Sequence, residues 1–377
     1  MPPGRGFGGE LDDLLDDPRR LEAADSGGLL RAAATAGAQV RSMAAAAQEA
    51  GLGRLTGDRP RALVLLTRPG AAAAAGPLLP ALLGSSCPVP VVTTRSVPMW
   101  VGALDIVLAD TTDPGDRELA EGIDRAVRHG AQVVLTAPAD GPVVAAAAGR
   151  SVLLVPGVEV PPSLVLPRTL SAGLLLLDTL GLLATDAEVL AGELDREAER
   201  DYVAHESLVN PAKSLALRLR DRTPLLWGTD PVATVVAGHS ASSLAAHAGV
   251  VAHAAGFPEA AMLPVLRQQA RSASGEVEVF RDPFEDSPGV GMPAMRPVLL
   301  GVLHDPRHEP ERATAMEELP GADVVTVDEE LMVRQGDPGA AACAAAVLAL
   351  RFDFAALYLG LSRGVLGGPG RIGSAVG

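Results

Sequence analysis

The sequence predicts an α/β protein made of two doubly wound lobes, each a parallel sheet flanked by helices. Three observations carry this. Five short apolar runs, ALVLL (62–66), VPVVT (89–93), DIVLA (105–109), QVVLT (132–136) and SVLLV (151–155), read as buried parallel strands with helical segments between most of them. The alternation restarts more weakly at TPLLWG (223–228), PVLLGVL (297–303) and DVVTV (323–327), as a degenerate second copy. Finally, 48% of residues are hydrophobic but only 3% aromatic, with 41 glycines and 31 prolines. That mixture suits small-residue helices and many turns better than a β-sandwich.

In chain order, residues 1–27 are expected to be a flexible, Gly- and Asp-rich leader. A helix from Leu29 to Leu52 is expected to stop near Gly51 or Gly53. The clearest helix runs from Pro114 to His129, with Leu119, Ile123, Ala126 and Val127 on one face and Glu118, Asp124, Arg125 and Arg128 elsewhere. The Pro-rich stretch 155–167 closes the first lobe, and two or three helices follow to about residue 220. A long Ala/His/Ser helix is expected from Val232 to Ala255, a loop or insertion over 272–295, and helices from about 338 to 363. The expected organisation is therefore a leader (1–27), an N-terminal lobe with its leading helix (28–185), a C-terminal lobe (186–363) and a flexible tail (364–377).

Charge narrows the function. A net charge of −15 argues against nucleic acid, which needs a basic face, and against an anionic membrane surface. Leu170–Ala184 is the most apolar stretch, but it is short and carries Asp178, so it is not expected to span a membrane. We expect the apolar helix around 169–184 instead to pack a homodimer. The acidic N-terminus lacks signal-peptide character, which points to the cytoplasm. Two distant cysteines, Cys87 and Cys343, make neither a disulfide framework nor a thiolate metal site.

Several motifs fail on context. Gly368-x-Gly370-x-x-Gly373 has no room for the helix that a dinucleotide fingerprint needs. GHSAS (238–242) lacks the second glycine of a nucleophile elbow and sits in a helical run, so its serine is expected on a helix surface. Pro306 between His304 and His308 makes that pair a surface turn. His239, His247 and His253, eight and six residues apart, are not expected to share a helical face.

The loops after the first and third strands, TRPGAAAAAG (67–76) and TTDPGDRE (111–118), lie where ligands of open α/β sheets bind. Thr67, Thr111 and Thr112 could supply hydroxyls to an anion. Asp113, however, is placed as an N-cap, with Pro114 at the first helical position and Asp116 in the first turn. Those carboxylates would occupy the positive helix end and repel a phosphate by about 5 kcal/mol at 5 Å, more than the helix terminus returns.

In order and spacing, PVPVVTTRSVPMWVGALDIVLAD (88–110), NPAK (210–213) and DFAALYLGLSRG (353–364) resemble the bifunctional phosphoglucose/phosphomannose isomerases, two-lobed proteins of the sugar isomerase (SIS) fold. The resemblance implies a hexose phosphate as ligand, aldose–ketose isomerisation through an enediolate, and no cofactor. The family's SYSGNTEET falls on Thr111–Leu119, so its second serine becomes Asp113, its glycine Pro114 and the following threonine Asp116. Its GMGGSAIAGD falls on 68–77, where the serine is Ala72 while Gly70 and Gly76 remain. The implied substrate site is Thr67, Gly70, Thr111, Thr112, Asp113 and Gly115. The family's ENAK, with its basic glutamate, falls on Ala246-His247-Ala248-Gly249, and its ring-opening histidine on Met262, beside Pro258 and Glu259. Arg168 corresponds to an enediolate-steadying arginine, and His247 stands next to the lost base. One residue along a helix is a turn of about 100°, so His247 is not a simple replacement. The expectation is thus a divergent sugar-phosphate isomerase with an altered phosphate loop, the alternative being a sugar-phosphate-binding or regulatory partner without turnover.

Overall fold

The structure, a computed structural model, describes residues 14–149, 151–274, 294–327 and 338–366. The chain forms two compact units. One is Arg31–Ala198 with Gly336–Ala346, and the other takes the N-terminal residues up to Leu30, Glu199–Gln335 and Val347 onward.

The described elements, in order, are α1 (Pro18–Ala24), α2 (Leu29–Ala33), α3 (Ala36–Glu49), β1 (Ala62–Leu66), α4 (Ala75–Leu83), β2 (Val91–Thr94), β3 (Asp105–Asp110), α5 (Arg117–Arg128), β4 (Gln132–Thr136), α6 (Pro142–Ala146), β5 (Ser151–Leu154), α7 (Leu166–Thr179) and α8 (Ala187–Arg200). They continue with α9 (Pro211–Leu219), β6 (Arg222–Gly228), α10 (Pro231–Ala248), β7 (His253–Gly256), α11 (Phe257–Ala261), α12 (Pro264–Ser274), β8 (Ala294–Leu300), α13 (Glu309–Glu318), β9 (Asp323–Val325) and α14 (Pro338–Ser362).

Two parallel sheets result. The first has the order β2-β1-β3-β4-β5 and the second β7-β6-β8-β9. Every residue of β1 and β3 is buried, as continuous apolar runs in a two-faced parallel sheet require. Val64, Val107 and Val133 meet Ile123 and Ala126 of α5 in one core cluster. In the other unit Trp227, Phe257, Leu299 and Ala315 form the corresponding cluster.

Capping residues start the helices. Asp17, Asn210 and Asp230 each precede a proline at the first helical position and each accepts a backbone N–H three residues on. The helix expected from Leu29 to Leu52 is two pieces, because the Thr35 hydroxyl takes the Ala32 carbonyl at 2.6 Å at the junction. The second piece stops before Gly51, which is left-handed at φ 69°. The helix expected to reach Ala255 ends at Ala248, capped by Gly249 at φ 62°, and His253–Gly256 is a strand paired with β6.

Two expectations about packing change. Leu170, Ala172, Leu174, Leu176 and Leu177 on α7 are buried within their own unit, where the helix packs on α3 and α4. A Cβ on Gly173 would lie 2.3 Å from Leu79 of α4. The apolar face offered to a dimer partner is therefore already covered. The longest apolar helix is α14: Gly339–Ser362 is long and apolar enough to cross a membrane, but 89% of that window is buried inside the protein, as for a core helix.

In the expected leader, residues 14–27 include α1, and Asp16 accepts hydrogen bonds from the Ser207 backbone (2.7 Å) and hydroxyl (2.6 Å) within the C-terminal unit. The rest of the leader, most of the 272–295 insertion and the end of the tail lie outside the described residues.

Candidate functional site

In the first sheet the chain leaves β1 toward β2 on one side and returns to β3 on the other, so the switch point lies between the ends of β1 and β3. The loops beyond these strands are the two singled out in the sequence. They are joined by a residue that the sequence reading missed. Arg68, directly after Thr67, places Nε 2.7 Å from Asp116 Oδ2 and Nη1 3.1 Å from Glu118 Oε2.

This clasp corrects the cap assignment. The helix starts at Arg117, and its cap is Asp116, which accepts from Leu119 N at 3.0 Å. Asp113 instead closes a tight turn by accepting Gly115 N at 2.8 Å. The Asp-Pro signature that starts other helices fails here for a tertiary reason. The Pro114 carbonyl accepts Val143 N of α6 at 3.2 Å, and Gly141 sits so close that a Cβ there would come within 2.7 Å of Pro114 Cβ. Residues 114–115 are held out of the helix.

The predicted hydroxyl donors are largely engaged by the loops themselves. Thr111 is buried, and its Oγ1 accepts Asp113 N at 3.0 Å and donates to Asp113 O at 3.1 Å. Thr67 Oγ1 donates to Thr94 O at 3.4 Å. Thr112 and Gly115 are exposed, and Gly70 caps a short 3-10 turn at φ 125°. Gly76 is sterically required: a Cβ there would lie 2.1 Å from Thr67 Cγ2.

Beneath these loops lies a cavity of about 20 Å³, bordered by Arg68, Ala72, Gly76, Asp110, Thr136 and Thr169 among others. Asp110 and Thr136 are register partners at the ends of β3 and β4. The Asp110 carboxyl is pushed up from its ordinary value by burial, which outweighs the opposing field of Arg168 on α7. Arg168 Nη2 lies 3.4 Å from both Asp110 oxygens, a long ion pair, while Arg168 Nε and Thr136 Oγ1 are buried without a hydrogen-bond partner. Arg168 thus joins the N-terminal switch point, whereas His247, the other proposed catalytic residue, belongs to the other unit.

The second sheet has its own switch point, between β6 and β8. There Asp230 is buried and spans two strand ends. Its Oδ1 accepts Ala233 N of α10 at 2.8 Å, and its Oδ2 accepts Val302 N at 2.8 Å and Leu303 N at 3.0 Å. A carboxylate of the chain itself fills this ring of N–H donors at a helix start. Gly228 permits the close approach: a Cβ there would lie 2.3 Å from Thr234 N.

His247 is turned into the core of its own unit. It is 5% exposed on α10, whereas Ala246 beside it is exposed. Burial holds its pKa below the ordinary value against the opposing charge of Asp353, and the neighbouring His239 adds a smaller push in the same direction as burial. His239 Nε2 lies 2.9 Å from Asp353 Oδ1 of α14, both side chains being 2% exposed. Burial disfavours its charged form, but the charge and hydrogen bond of Asp353 together raise its pKa. His239 and His247 therefore do share the buried side of α10, eight residues being close to two helical turns. Ser240, expected on the surface, is fully buried and donates to Val236 O at 2.8 Å.

NPAK and DFAALYLGLSRG meet as a packing device. Asn210 caps α9, and the buried Lys213 Nζ donates to Val203 O (2.8 Å) and His205 O (2.7 Å) while lying 5.4 Å over the Tyr358 ring. His304 and His308 are in the non-helical segment before α13, with His304 Nδ1 2.8 Å from Arg312 Nη1. Met262 is 79% exposed. The Gly368–Gly373 motif lies outside the described residues.

Comparison with known proteins leads to sugar-phosphate enzymes. Residues 208–369 match the family profile described as the bacterial phospho-glucose isomerase C-terminal SIS domain. Among solved structures, the C-terminal domain of glucosamine-fructose-6-phosphate aminotransferase from Francisella tularensis superposes with a TM-score of 0.59 at 12% identity, over 91% of this chain and 96% of that one. Tagatose-6-phosphate ketose/aldose isomerase from Escherichia coli gives 0.55 at 10% identity, over 97% and 96%. A glucose-6-phosphate isomerase like protein from Thermus thermophilus gives 0.52 at 18% identity, over 94% and 97%. At these identities the structures share the fold. No curated protein sequence matches significantly.

Proposed function

We propose that the chain, whose residues 208–369 match the SIS-domain profile, is a divergent relative of the SIS-domain sugar isomerases that binds a sugar derivative at the N-terminal switch point without isomerising it efficiently. The observation that carries this reading is the burial of His247. The position of the family base, by the resemblance above, is Ala246, which is exposed and cannot take a proton. The neighbouring imidazole is buried beside Asp353 and His239. Moving a proton between adjacent sugar carbons needs a base in contact with it, and losing one costs about 10²–10⁴-fold.

The N-terminal loops support the binding half of the reading. They keep the position and length of a ligand loop at a switch point, with polar groups converging on a cavity. Incubating purified protein with fructose 6-phosphate and following it by NMR tests the reading. No glucose or mannose 6-phosphate should accumulate at high protein concentration, and steady conversion would overturn it.

A further inference from the structure

We infer that the second half of α14 is fastened to α10 by an acid-sensitive latch, in which protonation of His247 releases residues 353–363. The parts of the latch come from one helix face. His239, Ser243 and His247 are spaced four residues apart along α10, so their side chains lie one above another on the same side. All three are buried, as is Asp353 of α14, which meets His239 at 2.9 Å.

The charge count makes this cluster sensitive. Two imidazoles share one carboxylate. His239 Nε2 already occupies Asp353 Oδ1, whereas His247 Nε2 and Ser243 Oγ are buried without a hydrogen-bond partner. A neutral His247 is tolerated there. Its protonation creates a second buried cation with no carboxylate left to pair, and a protein relieves such a charge by opening toward water. Burial already depresses the proton affinity of His247, and Asp353 offsets this only in part.

The surroundings supply no second acid among the described residues. Arg363, just past α14, donates from Nη1 to Ala248 O at 3.2 Å and adds positive charge at the same end of α10. On α14 itself, Arg351 and the Tyr358 hydroxyl donate to the Thr326 and Asp201 carbonyls. Of the strands packed on α10, β6 carries Arg222, β7 carries His253, bonded to Trp227 Nε1 at 3.1 Å, and β8 carries Arg296, paired with Asp323.

The backbone shows which contact gives way. Gly360 of α14 approaches α10 so closely that a Cβ there would lie 2.0 Å from His247 O, and Arg363 holds the next carbonyl. His247 thus sits where the two helices touch, and moving its ring toward water moves that contact. The ladder between β6 and β8 does not depend on it.

Amide hydrogen exchange of the full chain, read by mass spectrometry at pH 7.5 and pH 5.0 and corrected for the intrinsic pH dependence of exchange, tests the inference. Protection over residues 353–363 and 239–248 should fall about tenfold or more at pH 5.0, while β6 and β8 keep theirs. His247→Asn, which takes up no proton in this range, should hold both segments at pH 5.0, and His247→Gln serves in its place if that variant does not fold. Equal protection at the two pH values would overturn the inference, as would a loss spread evenly over β6 and β8. A loss of the same size in the histidine variants would also overturn it.

Discussion

Arg68, on the loop after β1, pairs with Asp116, the cap of the helix after β3, at 2.7 Å. One carboxylate thereby serves two elements: it closes the first turn of α5 and ties the β1 loop across the switch point.

The two aspartates of TTDPGDRE should accordingly behave differently. Asp116→Ala removes the cap and the clasp together and should destabilise the N-terminal lobe by about 1–2 kcal/mol. Asp113→Ala loses a local turn bond and should cost less than half as much. Urea unfolding of both variants checks this, and equal losses would contradict the cap assignment.

Asp230 should be far less replaceable than its loop position suggests. Its three backbone bonds hold α10 to the end of β8. Asp230→Ala leaves buried N–H groups unmet and should cost about 2–4 kcal/mol, read from the C-terminal lobe's unfolding transition.

Lys213 makes a parallel case. Its ammonium satisfies the carbonyls of Val203 and His205 over the Tyr358 ring. Lys213→Met keeps the stem and removes the donors, and a loss of about 2–4 kcal/mol is expected. Sugar binding, measured under conditions where the variant is folded, should not change.

The two histidines of α10 predict a dome-shaped dependence of stability on pH. His239 has a folded pKa raised above 6.5, so its contribution is complete below 6.5 and lost as pH rises through the raised value. His247 has a folded pKa below 6.5, so stability falls as pH drops from 6.5 through the lowered value. Asp353→Asn should flatten the alkaline limb and His247→Asn the acid limb. Chemical denaturation between pH 4 and 9 reads both, and unchanged limbs would show that the cluster is not titrating.

Much of the framework was legible because strands buried on both faces must be apolar throughout. ALVLL and QVVLT match β1 and β4 residue for residue. The Asp-Pro and Asn-Pro starts at Asp17, Asn210 and Asp230 are equally local signals, although the sequence reading named such a start only at Asp113. The same dipeptide misled at Asp113 because Val143 N, contributed by α6, claims the Pro114 carbonyl. Arg68 was passed over because an arginine after a strand has no local signature. Its meaning comes from Asp116 and Glu118, the latter 50 residues away in the chain.

By itself, then, the sequence determined the two parallel sheets, most of the helices and the two loops at the first switch point. Hydrophobic periodicity and capping chemistry act within a few residues of the chain. Tertiary structure alone decided which carboxylate caps α5, that Asp230 fills the second cradle and that His247 is turned into the core. Those outcomes depend on which groups distant segments bring within hydrogen-bond reach, and a buried polar group takes the partner that the fold supplies.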